Sequence, residues 1–335
     1  MSVDERAPSR RTLCVVSPCY NEAAGIRAFH AALKRELVSL EDLEHRIVLV
    51  DDGSTDETLS LLNELAREDD RVRVYSLSRN FGHQIALSAG IDVAQGDAIV
   101  LMDSDLQHPP ALIPSMVGKW RAGADIVSAV RVRTADASLF KRSSARAFYR
   151  LLNGISDTRI VPDAADFVLL AAPAHQALLR MPERHRFLRG MVSWIGFRRE
   201  FLPYQAPARG TGESSYTLRN MIRLASDALF SFSTAPVRLA TRLGLAVVAC
   251  GMLYLGYILY TVFAHPGRIV QGWTSLIIVV LILSGVQIVF VGLIGEYIAR
   301  IFEESKGRPL YFFKQTPGDD ARSTVAGPAT RPGPP

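Results

Sequence analysis

Apolar residues fall into three arrangements along the chain. Thr12–Ser17, Arg46–Val50, Val72–Leu77, Ala98–Met102 and Asp125–Val130 are short, nearly continuous apolar runs. Between them, apolar residues recur every three or four positions: Ile26, Phe29, Leu33, Leu37 and Leu40, then Leu59, Leu62 and Leu65. The short runs read as strands covered on both faces, and the stripes as amphipathic helices. His83–Ala94 reads as a further helix. Strand and helix alternate from residue 12 to 130, which predicts an α/β domain with a mostly parallel sheet and helices on both faces. Ser54 and Glu57 have the spacing of a capping box ahead of the second helix.

The third arrangement is different in kind. Leu243–Phe263 and Trp273–Ile294 are uncharged, and each meets the roughly 20 apolar residues that a membrane-spanning helix needs. A short connection with Pro266 and Gly267 joins them into a hairpin. Arg238 and Arg242 precede the first span, and Arg300, Lys306, Arg308 and Lys314 follow the second. Arg268 is the only cation in the turn, so the positive-inside rule places both ends of a multi-pass hairpin in the cytoplasm. The expected organisation is a disordered 1–11, a catalytic domain over 12–230, a juxtamembrane and hairpin region over 231–314, and a disordered tail over 315–335.

Composition then narrows the classes. The chain has 335 residues, 48% hydrophobic and 21% charged, enough for a substantial core. Lys and Arg number 38 against 33 Asp and Glu, a net +5, too mild to imply a nucleic-acid partner. Cys14, Cys19 and Cys250 form neither a CxxC pair nor a disulfide framework. Residues 131–150 carry six cations against Asp136, interleaved with Leu139, Phe140, Phe148 and Tyr149. This segment suits either a membrane surface or a solvated helix face.

In an open parallel sheet, ligands bind beyond the carboxyl ends of the strands. Four polar clusters fall there: Pro18-Cys19-Tyr20-Asn21-Glu22, Asp51-Asp52-Gly53-Ser54, Ser78-Arg79-Asn80-Phe81-Gly82 and Asp103-Ser104-Asp105. One acid at a strand end is often a helix cap, but several clusters along one edge form a site. Asp-x-Asp offers hard oxygen ligands, and Mg²⁺ or Mn²⁺ takes one or two carboxylates and completes its shell with water and substrate phosphates. A phosphate-binding GxxxxGK[ST] loop, a GxGxxG after the first strand, HExxH and GxSxG are all absent.

The motifs VVSPCYNE, VDDGSTDET, LSRNFGHQIALSAG and GDAIVLMDSDLQHPP, with the two apolar spans, resemble the family 2 glycosyltransferases that act on polyisoprenyl phosphates. ERHRFLRGMVSWIGF and SFSTAPVRLATRLG look most like the bactoprenol glucosyltransferase branch, with dolichol-phosphate mannose synthases as relatives. The resemblance implies a Rossmann-like GT-A fold, a nucleotide-sugar donor, a divalent metal, inversion at the sugar carbon, a cytoplasmic-membrane location in bacteria and a homo-oligomer. By matching motif, Pro18, Tyr20, Glu22, Asp52, Asp103, Ser104 and Gln107 would hold the nucleotide sugar. Asp103 and Asp105 would hold Mg²⁺ or Mn²⁺. Asp166, Asp105 and Arg131 would act at the reacting centre, and Arg186, Arg189 and Arg209 at the acceptor phosphate. Two positions depart from the family pattern: Val168 stands where relatives usually have arginine, and Ser215 where they often have lysine.

The implied reaction moves a hexose, glucose in the nearest branch and UDP-glucose as its donor, onto polyprenyl phosphate at the cytoplasmic face. The alternatives are a related transferase for another sugar, such as mannose, galactose or aminoarabinose, and a non-catalytic nucleotide-sugar-binding scaffold.

Overall fold

A computed structural model describes residues 10–131, 164–184, 186–205, 235–264 and 272–317. Five strands appear where the apolar runs predict them: β1 (Thr12–Cys19), β2 (Glu44–Asp51), β3 (Val72–Leu77), β4 (Ala98–Leu101) and β5 (Ile126–Arg131). Helices α1 (Ile26–Val38), α2 (Thr58–Glu68), α3 (His83–Val93) and α4 (Ile113–Arg121) alternate with them. Beyond these come β6 (Ala164–Ala171), α5 (Ala172–Leu179), α6 (Leu188–Trp194) and β7 (Arg199–Tyr204). Two long helices, α7 (Ala235–Ala264) and α8 (Trp273–Ser305), lead to a last strand, β8 (Phe313–Gln315).

The eight strands form one sheet in the order β7-β5-β6-β4-β1-β2-β3-β8. The β1–β2, β2–β3, β1–β4 and β5–β7 pairs are parallel; β6 runs antiparallel to both its neighbours, and β8 antiparallel to β3. In β1, Leu13 and Val15 enter one core with α1, α2 and α4, whereas Cys14 and Val16 enter the other with α3, α5 and α6. Both faces are therefore covered, which is why these strands read as continuous apolar runs and not as alternations. Phe29 on α1 is wholly buried and contributes about 1.5–3 kcal/mol by leaving water. On the opposite face α3 sits close because of Gly90, where an added Cβ would collide with Val16 and lie 3.2 Å from Val50.

Two expectations are corrected. The capping box at Ser54 and Glu57 does not form. Helix α2 begins at Thr58 with no side-chain cap hydrogen bond; Ser54 donates its amide to Asp51, and Asp56 accepts the Thr58 amide. Asp51, three residues before Ser54, takes the Ser54 amide, and the Ser54 hydroxyl accepts the Asn21 amide in place of a helix amide. The chain also does not leave the domain at 315. Residues 313–315 return as β8, with Tyr311 donating to Asp92 (3.0 Å) and Gln315 to Asn63 (3.2 Å). Tyr311 and Phe313 are buried in the second core, their rings meeting edge to face at 5.1 Å.

Helices α7 and α8 contain the two apolar segments and carry exposed apolar side chains, among them Leu253, Phe263, Ile288 and Val291. Leu283–Ser305 is long and apolar enough to cross a membrane. The near end of α8 is fastened to the domain: Glu304 accepts the Arg184 amide at 2.7 Å, and the Arg184 guanidinium donates to the Arg308 carbonyl.

Candidate active site

The strand-end clusters are tied to one another by their own polar atoms. Asn21 takes a left-handed conformation (φ 54°), which short polar side chains tolerate. It accepts the Thr55 amide, while its own amide donates to Ser54. Glu22 donates its amide to Thr58. Ser104 donates to the Pro18 carbonyl at 3.0 Å, fastening the Asp-Ser-Asp turn to the end of β1. Asp51 is structural: it accepts from the Ser54 amide and the Ser76 hydroxyl. Asp52 accepts the amides of Phe81 (2.8 Å) and Gly82 (3.0 Å), and so fixes the loop before α3. Gly53 permits the approach of that loop. Its φ is +66°, and a Cβ there would lie 2.6 Å from the Asn80 nitrogen.

These ties leave a cleft of about 240 Å³ lined by Pro18, Tyr20, Glu22, Asp52, His83 and Asp103 among others, with Cys19, Ser104 and Asp105 also on its wall. Seven of the residues expected at the donor or metal thus converge. Gln107 is not on the wall; its amide donates to Asp105 Oδ1 at 2.9 Å. The lining is acidic. Burial, and then the charges of Asp105, Asp56 and Asp103, push the Glu22 carboxyl up. Burial also raises the Asp103 carboxyl. Asp103 Oδ1 is buried and accepts no hydrogen bond; the His83 Nε2 stands 3.3 Å from it. A buried, unsatisfied carboxylate oxygen beside the exposed Asp105 is a donor set suited to a hard divalent cation. Among the described residues no third carboxylate, histidine or cysteine joins them, so phosphate or water oxygens would complete such a shell.

Asp166, on β6, lies beyond this cleft and is joined to it by His83, whose Nε2 is 3.8 Å from Asp166 Oδ2. Arg189 on α6 grips both Asp166 oxygens, Nε at 2.7 Å and a terminal nitrogen at 3.0 Å, and Gln84 donates at 3.2 Å. Gln84 also accepts the Leu188 amide, setting the start of α6. Burial alone would raise the Asp166 carboxyl; the His83 imidazole and the Arg189 guanidinium outweigh it and hold it well below the usual carboxylate range. Burial would lower the His83 imidazole; Asp166 and Asp103 beside it outweigh that and lift it above the ordinary imidazole value.

The other arginines divide. Arg131 is exposed at the end of β5. Arg186 is buried and directed at the carbonyls of Met181 and Glu183, so it braces its own loop and not an open phosphate position. Arg209, Ser215 and the segment 132–150 lie outside the described residues. His83, Gln84 and His108 are the functional neighbours that the sequence reading passes over. The signal for the first two was the HQ pair opening a helix directly after a strand-end loop.

Comparison with known proteins agrees with this geometry. Residues 14–179 match the glycosyl transferase family 2 model, and residues 235–301 match the GtrB C-terminal hairpin. The uncharacterized glycosyltransferase YkcC of Bacillus subtilis is 40% identical over 91% of this chain and 94% of its own. The bactoprenol glucosyl transferase of Shigella phage SfV is 39% identical, over 90% and 98%. The prophage bactoprenol glucosyl transferase homolog of Escherichia coli K12 is 37% identical, over 90% and 98%. With both family models matched and these relatives aligned over 90–91% of the chain, the chain belongs to glycosyl transferase family 2, in the group that carries the GtrB C-terminal hairpin.

Proposed function

We infer that this enzyme transfers glucose from UDP-glucose to the phosphate of a polyprenyl lipid at the cytoplasmic face of the membrane. The observation that carries the reading is His83, whose Nε2 touches both Asp103 of the donor cleft and Asp166 of the Asp166–Arg189 pair. It links the cleft to the Arg189 guanidinium, beside the place where a bound donor's sugar would lie. The named relatives supply the sugar and the lipid class.

The chemistry needs little proton movement. A phosphate monoester has its second pKa near ~6 and is mostly dianionic at neutral pH. One of its oxygens forms the bond to the anomeric carbon from the face opposite the leaving group. The bond from that carbon to the nucleoside diphosphate breaks, and the diphosphate departs with the electron pair, giving inversion. Asp166, already held by Arg189 and Gln84 and depressed in pKa, is a poor proton acceptor. Its task is to orient Arg189, whose half-buried guanidinium offsets the charge of the incoming phosphate. Asp103 and Asp105 would hold Mg²⁺ or Mn²⁺, which supplies Lewis-acid charge to the departing diphosphate. Glu22 and Asp52 flank the nucleotide end of the cleft.

The hairpin serves the acceptor. Arg238, Arg242, Arg300 and Lys306 flank the two apolar helices, and the positive-inside rule supports a hairpin with both ends on the cytoplasmic side. The helices keep the cleft where lipid phosphates lie, raising effective concentration. Gly251, Gly256, Gly285 and Gly292 have open space at their Cβ positions, which favours assembly through these helices.

The test is transfer in membranes containing the protein, undecaprenyl phosphate, Mg²⁺ and a panel of radiolabelled nucleotide sugars, followed by lipid extraction. Organic-phase label from UDP-glucose is the expected result. Label from a different donor corrects the sugar, and no label beside an active relative returns the scaffold reading.

A further inference from the structure

His108 lies outside the cleft wall yet holds the segment that carries both metal-binding carboxylates. The turn 103–108 is closed by two local hydrogen bonds. Gln107 donates its amide to Asp105 Oδ1 at 2.9 Å, and Asp103 donates its amide to His108 Nδ1 at 3.0 Å. Between them Leu106 adopts φ +61°, a conformation that leucine rarely takes. Its side chain packs against the first core, which fixes the reversal and brings His108 back beneath Asp103. The imidazole is 6% exposed, stacks on Phe167 (centroids 5.2 Å, 21° between planes) and meets the edge of Tyr204 at 6.5 Å. Phe167 follows Asp166 in β6. One ring therefore grips the Asp-Ser-Asp backbone on one side and the Asp166 strand on the other. A ring nitrogen that accepts an amide carries no proton, so the His108 proton is on Nε2.

We propose that His108 is a positioning residue that presets the Asp103–Asp105 pair for a divalent cation and registers that pair against the strand bearing Asp166. The inference rests on the metal reading given above. A ring acting only as core filler would be replaced without loss by another aromatic ring. A ring acting through Nδ1 would be replaced by any side chain with an acceptor at that point. H108F keeps the stack and removes the acceptor. H108N places its Oδ1 close to the position of Nδ1 but gives up the ring.

The experiment is a Mn²⁺ titration, read by electron paramagnetic resonance, of the purified full-length protein with UDP present. It is paired with the apparent KM for Mn²⁺ and kcat in lipid transfer. H108F should weaken Mn²⁺ binding about 10–100-fold, the range for loss of a group that orients a metal ligand. Its kcat at saturating Mn²⁺ should fall far less than its affinity, and H108N should recover binding to within a few-fold of the parent. H108Q, whose carbonyl reaches the Nε2 position and not the Nδ1 position, should bind as poorly as H108F and stands in if H108F does not fold. Parent-like Mn²⁺ affinity in H108F, or H108N as weak as H108F, overturns the proposal and leaves the metal reading intact. If the parent protein binds no Mn²⁺ with UDP present, the metal reading itself falls and takes the proposal with it.

Discussion

Replacing Gly53 with alanine strains two things at once. The residue sits at φ +66°, where an L side chain costs roughly 1–2 kcal/mol. The new Cβ would also meet backbone, 2.6 Å from the Asn80 nitrogen and closer still to the Arg79 carbonyl carbon. Backbone cannot swing aside as a side chain can, so the 79–82 loop must move by close to an ångström, an overpacking cost of about 1–3 kcal/mol. The expected loss is therefore about 2–5 kcal/mol, or roughly 4–20 °C in apparent Tm for a domain of this size. The same loop lines the cleft through Asn80, Gly82 and His83 and is anchored by Asp52. If about 1.4 kcal/mol of the strain is relieved by moving that loop, UDP affinity falls about tenfold. The control is Gly307→Ala. Gly307 has a similar φ of +57° with nothing near its Cβ, so it carries the conformational cost alone. Thermal unfolding and isothermal titration with UDP on the three full-length proteins would decide it. A Gly53→Ala protein that matches Gly307→Ala in both measurements would refute the idea that this contact sets the cleft.

Asp105→Ala should abolish transfer while leaving the thermal transition nearly in place, because Asp105 is exposed; full turnover without added metal would contradict its assignment. Arg189→Met leaves the buried Asp166 with Gln84 and His83 among the described residues, so lipid transfer should drop at least tenfold and apparent Tm should fall; unchanged kinetics would remove Arg189 from the site. Asp69 accepts from the Arg71 side chain and His30, and Arg71 first among them holds its carboxyl well below the usual range. A depressed folded pKa stabilises above the unfolded value near ~3.9 and is lost as pH falls through the folded one. Asp69→Asn should therefore cost about 1.5–3 kcal/mol at pH 7 by denaturant unfolding, with the gap to the parent narrowing below about pH 4. Tyr311→Phe removes the bond to Asp92 and should lower stability by about 1 kcal/mol, with more rapid proteolysis after residue 305.

How much of this is legible before folding depends on the range of the contact that makes each feature. Strands β1 to β5 show because burial on both faces demands unbroken apolar runs. β6 hides in AADFVLLA, where alanines carry no strand signature and antiparallel pairing with β4 and β5 supplies the reason. β7 opens on the adjacent charges Arg199 and Glu200 and contains Pro203, as an edge strand allows. β8 has only Phe313–Gln315, too short for any periodicity. In the site, carboxylates at strand ends are visible because strand ends are. Gln84 acquires its role from Asp166 and Leu188, both distant in sequence, and His108 from a reversal at Leu106 that nothing in the residue's type foretells.

The return of the chain as β8 sets an order of events during synthesis. Domains fold as they leave the ribosome, N-terminal part first. The sheet can assemble from β7 to β3 as those residues emerge, but its outer edge beyond β3 stays bare until residue 315 is made. Both long apolar helices, α7 and α8, precede that strand in the chain and so leave the ribosome before it does. The last strand can close the sheet only when the end of α8 lies near Arg184. A protein whose hairpin is misplaced would therefore be left with an open edge at β3, a row of unpaired backbone groups on which another chain could add.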